Sequence, residues 1–299
     1  MRKGRRFTPG LLDRWQKQGR GTGTGADYQP WHQVTRSDPS SRGRSHLIYT
    51  SSGRLVHLLS DAEYVAFAFA TMCADLVEVR EQFELPTAAG QCRHLSGAPG
   101  DWIEGTEAIA RDLGLRHPRL TQGGVTRPWS MTSDLVLIFK NTDPKSRLVV
   151  VSVKHDEELT RPRVMELLRL EREFWHRQGV QWLLITPQLY HPRSQGVLSA
   201  GLAYVVGQSA VPAARIARCR ELQPQLAGMR MQDICQELQH ELDTTMAGAQ
   251  SAFWGSVWAG ALTLDMTQAW RADQCVRFVS ASDFIAQNPI ASRRSSWCD

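Results

Sequence analysis

Two continuously apolar segments rich in β-branched residues constrain the fold of this chain most strongly. They are residues 134–139 and 148–153, within "SDLVLIFKNTDPKSRLVVVSVKHDEE" at 133–158. Continuous apolar runs of this kind are typical of strands covered on both faces. Apolar residues then recur at helical spacing over 161–179, and "VQWLLIT" at 180–186 is a further buried strand. This order predicts an α/β domain that ends near residue 190.

The segments before this core predict a helix at 7–19, short strands at 46–50 and 54–58, a helix that begins at Ser60 and a strand at 76–80. Residues 86–130 are rich in Gly, Pro and Thr, with one helix at 103–113, which indicates an elaborated loop or an insertion.

From about residue 195 the chain becomes helical and polar, with helices at 232–242 and 252–260 and a short hairpin formed by "ALTLDM" and "CVRFVS". We therefore predict three parts: a basic arm and Gly-rich segment at 1–25, an α/β domain at 26–192, and a small winged-helix-like domain at 193–299.

Composition excludes several classes of protein. The 299 residues are 42% apolar and 22% charged, enough for a full globular core. We find neither a long apolar run nor a signal peptide, and therefore expect a cytoplasmic protein. The six cysteines are scattered without a C-x-x-C pair, which argues against a zinc cluster or a disulfide framework.

Positive charge is concentrated in the first twenty residues, where only Asp13 is acidic. The basic residues are Arg2, Lys3, Arg5, Arg6, Arg14, Lys17 and Arg20. A basic arm suits the phosphate backbone of DNA, although a merely solvated tail is the alternative. The glycines that follow, in "GRGTGTGADYQPWHQV" at 19–34, lack the context of a phosphate-binding loop. They indicate a backbone that passes close to another group, followed by an aromatic anchor.

Asp134 and Lys154 begin and end the two apolar strands, and adjacent antiparallel strands can bring them to one end of a sheet. One aspartate, a second carboxylate and a backbone carbonyl such as that of Val153 could hold Mg²⁺, with Mn²⁺ as a substitute. A lysine beside that ion can orient or deprotonate a water. Ser152 stands where many nucleases carry the second acid, so that acid must come from elsewhere. An ordinary buried hairpin with polar ends is the alternative.

Two glutamates could supply the second acid. Glu63 also fits the capping box Ser60-Asp61-Ala62-Glu63, and spacing alone favours that role. Glu171 lies on a helix whose other charges indicate a solvated face, so pairing within the helix is its alternative. No H-x-x-x-H zinc pair and no G-x-S-x-G elbow are present in the sequence.

Four stretches together resemble the TnsA family, the endonuclease subunit of Tn-seven-like heteromeric transposases. They are "GRGTGTGADYQPW" at 19–31, "GRSHLIYTSSGRLVHLLSDAE" at 43–63, "VEVREQFEL" at 77–85 and "SVKHDEELTRPRVMELLRLEREFWHRQGVQWLLIT" at 152–186.

The resemblance implies a restriction-endonuclease-like core that cuts the 5′ strands at transposon ends, while the transposase TnsB cuts and joins the 3′ ends. It places the family's catalytic glutamate, aspartate and lysine at Glu63, Asp134 and Lys154, with Ser152 and Glu171 as supporting residues. It further implies a bacterial protein that acts at the nucleoid, and a C-terminal region that contacts the AAA+ regulator TnsC. A non-catalytic adaptor that bridges DNA and protein is the rival hypothesis, and a nuclease that acts alone is a third.

Overall fold

The computed structural model describes residues 7–36, 44–91, 102–140, 148–271 and 273–298. The chain divides into two compact units. The first comprises Met1–Leu47, Arg54–Tyr64 and Asp75–Leu184, and the second comprises Ile48–Gly53, Val65–Ala74 and Ile185–Asp299.

The helices and strands follow one another in an order that matches most of the expected segments. They are α1 (Pro9–Lys17), β1 (His46–Tyr49), β2 (Leu55–Leu58), α2 (Asp61–Thr71), β3 (Leu76–Glu84), β4 (Gly90–Gln91), β5 (Trp102–Ile103), α3 (Thr106–Asp112), β6 (Arg119–Gln122), β7 (Val125–Pro128), β8 (Thr132–Phe139), β9 (Leu148–Val153), α4 (Asp156–Leu159), α5 (Pro162–His176), β10 (Gln181–Ile185), α6 (Ser194–Leu202), α7 (Ala213–Leu226), α8 (Met231–Glu241), α9 (Met246–Trp258) and α10 (Ala281–Gln287).

A four-stranded sheet in the order β10-β9-β8-β3 forms the centre of the first unit. Strand β8 is antiparallel to both of its neighbours, with Leu135 opposite Glu81 of β3 and Val151 of β9. Every residue of β9 is buried, as is most of β8, so the expectation of strands covered on both faces is confirmed. The strand expected at 76–80 continues to Glu84.

The segment 86–130 contains more regular structure than an elaborated loop. Its described residues form the strand pair β4 and β5, helix α3, and the hairpin of β6 and β7. Gly123 and Gly124 turn that hairpin with φ angles of 58° and 79°, as a two-residue turn of this type requires.

The Gly-rich segment is a close backbone approach, as expected. Gly21 has a φ of 76°, and a Cβ there would lie 2.6 Å from Oε2 of Glu84. Tyr28 is the aromatic anchor: it is buried, its hydroxyl donates to the carbonyl of Glu81 at 3.0 Å, and the guanidinium of Arg54 lies over its ring.

The second unit contains helices α6 to α10. The helices expected at 232–242 and 252–260 are α8 and α9. Among the described residues, the expected hairpin is only an isolated antiparallel bridge between Leu264 and Phe278. The winged-helix assignment stays a prediction. None of the described helices has the length and apolar character needed to cross a bilayer.

Candidate active site

Asp134 and Lys154 lie together at one end of the central sheet. Lys154 follows the last residue of β9, and its Nζ lies 3.5 Å from Oδ2 of Asp134. The same Oδ2 accepts the amide N–H of Val153 at 2.7 Å, while Nζ donates to the carbonyl of Val153 at 2.7 Å. Oδ1 of Asp134 accepts no hydrogen bond from the described part of the chain. Asp134 therefore has one oxygen fixed by the neighbouring strand and the other available.

Glu63 makes the contacts of a helix cap. Oγ of Ser60 accepts the amide N–H of Glu63 at 3.1 Å and donates to Oε1 of its carboxylate at 3.1 Å. Oε2 of Glu63 accepts the amide N–H of Leu59 at 2.9 Å, one residue before the position that a standard capping box would use. The prediction that Glu63 caps the start of α2 is therefore confirmed, with the amide of Leu59 as the backbone donor.

Glu63 also interacts electrostatically with Asp134 and Lys154. Burial, followed by the negative charge of Asp134, raises the pKa of Glu63 to about 8, while Lys154 opposes that shift. Burial lowers the pKa of Lys154, but the charges of Asp134, Glu171 and Glu63 outweigh it and the pKa is raised. A protonated lysine thus stands beside three carboxyl groups.

Ser152 and Glu171 are hydrogen-bonded to each other. Glu171 of α5 is buried, and its Oε1 accepts the hydroxyls of Ser133 at 2.6 Å and Ser152 at 2.5 Å. Burial, followed by Asp134, raises the pKa of Glu171 to about 6. Pairing within the helix, the alternative for Glu171, is not what the structure contains.

Gln82 is a residue of this site that the sequence did not indicate. It lies in β3 between Glu81 and Phe83, whose partners in β8 are Leu135 and Ser133, the two residues that flank Asp134. Its φ of 49° is left-handed, which is costly for a residue with a side chain. Its Nε2 donates to Oε2 of Glu63 at 3.1 Å, and Thr132 donates to its Oε1 at 3.3 Å. In this strained conformation the side chain of Gln82 holds Glu63 in place.

The expected DNA-binding residues fall in different environments. Arg2, Lys3, Arg5 and Arg6 lie outside the described residues. Lys17 is exposed at the end of α1, whereas Arg20 is only 5% exposed and its guanidinium lies over the ring of Trp15. Contact with DNA by these residues stays a prediction.

The donor atoms of the site fit magnesium better than zinc. Across the described ranges, no three His, Cys, Asp or Glu side chains are arranged to hold a metal ion. Magnesium needs only one or two carboxylates, because waters and substrate phosphates complete its shell. Glu63, Asp134 and the carbonyl of Val153 are hard oxygen donors of that kind. Burial and the negative charge of Asp134 raise the pKa of Glu63, and a cation held between the two carboxyl groups would lower it again.

The fold and the site together indicate a class of protein. A central sheet combined with several helices, and an acid and a lysine near the ends of adjacent strands, fit a nuclease-like α/β fold.

Comparison with known proteins narrows this class. Residues 74–187 match the family model described as the TnsA-like endonuclease N terminal. The chain is 33% identical over 187 residues to the transposon Tn7 transposition protein TnsA of Escherichia coli, an alignment that covers 62% of this chain and 60% of that protein. The resemblance to TnsA drawn from the sequence is confirmed as a similarity, and the chain spans only 60% of the length of that relative.

Proposed function

We propose that this protein is a magnesium-dependent DNA endonuclease that cleaves the 5′ strands at transposon ends during cut-and-paste transposition. The observation that carries this proposal is the convergence of Glu63, Asp134 and Lys154 from α2, β8 and the end of β9. A structural cap needs neither the lysine nor the aspartate. A restriction-endonuclease-like core would hydrolyse a phosphodiester by in-line attack of water.

Each residue has a role that follows from its contacts. Asp134 is held by the amide of Val153 at 2.7 Å, which leaves Oδ1 to face a cation. Glu63 is held on both oxygens by Leu59, Ser60 and Gln82, so its carboxylate is preorganised. Magnesium would be held by Glu63, Asp134 and the carbonyl of Val153, and when bound it would polarise the scissile phosphate. Lys154, protonated and anchored at its own strand end, would orient the attacking water or stabilise negative charge on the phosphate.

The partners belong to the same proposal. A TnsB-type transposase would cut and join the 3′ ends, and the second unit would contact a TnsC-type AAA+ regulator. Lys17 and the arm before it would contact transposon-end DNA in a salt-dependent manner.

A reconstituted reaction tests the division of labour. It combines the protein, a TnsB-type transposase with its regulator, end-containing DNA and magnesium, and maps both strands. Lys154→Ala should abolish 5′ nicking and leave 3′ joining intact. Lys140→Ala is the matched control, because Lys140 is exposed just beyond the other end of β8. Equal loss of both strand events in Lys154→Ala would contradict the proposal.

A crystal soaked in manganese separates the nuclease from the rival adaptor. Anomalous scattering should locate an ion that contacts Glu63 and Asp134. An adaptor has no need for such a site, so a saturating soak without an ion there would favour the adaptor.

A further inference from the structure

The hydroxyl of Ser152 accepts one hydrogen bond and donates another, and both partners are side chains of the protein. The indole Nε1 of Trp182 donates to Oγ of Ser152 at 3.1 Å, and that Oγ donates to Oε1 of Glu171 at 2.5 Å. Ser133 repeats the arrangement: Nε1 of Trp175 donates to its Oγ at 2.8 Å, and Oγ donates to the same Oε1 at 2.6 Å.

The tryptophans determine which way the serine protons point. An indole N–H is a donor only, so each serine oxygen must accept from its tryptophan. Each serine has one proton left to give, and the carboxylate is its acceptor. All five residues of this arrangement are buried, which limits the access of solvent to their hydrogen bonds; they are Ser133, Ser152, Trp175, Trp182 and Glu171.

The arrangement holds one oxygen of Glu171 and leaves the other available. Both serines donate to Oε1, and Oε2 of Glu171 accepts no hydrogen bond from the described part of the chain. A buried carboxylate is costly unless its charge is used or neutralised. Glu171 interacts electrostatically with Asp134 and Lys154, the two residues that meet at the sheet end.

We propose that Ser152, together with Ser133, is a positioning residue that orients Glu171, so that Glu171 rather than residue 152 supplies the further carboxylate of the candidate active site. This inference rests on the proposed function. It assigns Ser152 a role through Glu171 and none in direct contact with the substrate or a metal-bound water.

A double-mutant cycle tests this assignment. Single-turnover 5′ nicking is measured for the wild type, Ser152→Ala, Glu171→Gln and the double variant. Misplacing a group in an active site costs on the order of tenfold to a hundredfold in rate. We expect roughly a tenfold loss for Ser152→Ala, a larger loss for Glu171→Gln, and no further loss when Ser152→Ala is added to Glu171→Gln.

Two further variants keep the cycle from being explained by damage to the fold. Trp182→Phe keeps the ring but removes the N–H that orients Ser152, and should reproduce part of the loss. Ser194→Ala removes another buried hydroxyl, which donates to the carbonyl of Met266 in the second unit, and should leave nicking unchanged. Denaturant unfolding of every variant gives a readout independent of activity, and nicking losses must exceed those expected from the unfolded fraction.

The outcomes separate this inference from the proposed function. If the wild type nicks and the losses of Ser152→Ala and Glu171→Gln multiply in the double variant, Ser152 acts independently of Glu171 and the inference is overturned alone. If the wild type fails to nick in the complete reaction, the proposed function fails and the inference falls with it. A loss in Ser152→Ala that tracks only the unfolded fraction would show that Ser152 is a structural residue and would overturn the inference.

Discussion

Replacement of Glu63 by glutamine is the most informative single change, because the structure assigns this side chain two roles with opposite consequences. The carboxylate accepts three hydrogen bonds, from Leu59, Ser60 and Gln82. A carboxamide of the same shape can accept the two at Oε2 through its oxygen, and its NH₂ can donate to Oγ of Ser60. Glu63→Gln should therefore keep the cap while it removes the acid.

The expected gain in stability follows from the pKa of Glu63. This pKa is raised from an ordinary 4.5 to about 8 by burial and by Asp134. Between these values the unfolded chain is ionised while the folded chain retains its proton, so the free energy of unfolding falls as the pH rises through this window. Since each pKa unit is worth about 1.4 kcal/mol, the penalty is on the order of 3 kcal/mol at about pH 7.

Denaturant unfolding in the presence of a chelator, repeated across this pH range, measures the penalty directly. Glu63→Gln should be more stable than the wild type by about 1–3 kcal/mol near neutral pH, with the difference fading in acid. The same variant should lose 5′ nicking. Glu157→Gln changes an exposed glutamate and should alter neither quantity. If Glu63→Gln is no more stable than the wild type and nicks at the wild-type rate, Glu63 is only a helix cap and the reasoning is refuted.

Three further changes probe the surroundings of the site. Gln82→Gly suits the φ of 49° but removes the donor to Glu63, so nicking should fall by roughly tenfold while the free energy of unfolding, measured in denaturant, changes by less than about 1 kcal/mol. Gly21→Ala should destabilise the fold by about 1–3 kcal/mol in the same assay, because its Cβ would meet Glu84. Gly114→Ala is its control: Gly114 has a φ of 66° but open space around it, so a smaller loss is expected, and equal losses would contradict the clash. Arg54→Met leaves Glu81 buried without its partner and should cost about 3–5 kcal/mol by thermal or denaturant unfolding, whereas a neutral effect would show that the pair contributes nothing.

The central sheet was predictable because burial on both faces leaves a direct trace in the sequence. The apolar and β-branched residues at 148–153 predict a buried strand, and β9 has those bounds. The hairpin of β6 and β7 was missed although its signal was present: Gly123-Gly124 between short β-prone segments is typical of a two-residue turn. The overall Gly, Pro and Thr content of 86–130 is typical of a loop, and it outweighs the local signal of this turn.

The sequence predicted the positions of the main site residues but not the contacts between them. The capping pattern at Ser60 and Glu63 and the positions of Asp134 and Lys154 are local features, and the structure contains them. The left-handed backbone of Gln82 has no sequence signal, because a glutamine rarely adopts that conformation. The contact between Ser152 and Glu171 joins β9 to α5 through tertiary packing alone, so no spacing rule could reveal it.

Strand-resolved cleavage by the wild type and Asp134→Asn tests the central claim most directly. Transposon-end DNA labelled on the 5′ strand is incubated with the complete set of partners, once with magnesium and once with a chelator. We predict a discrete 5′-strand product for the wild type only with magnesium, none for Asp134→Asn, and 3′ joining by both proteins with magnesium. A 5′-strand product of equal yield from Asp134→Asn would contradict the claim that this residue and its neighbours form the nuclease centre.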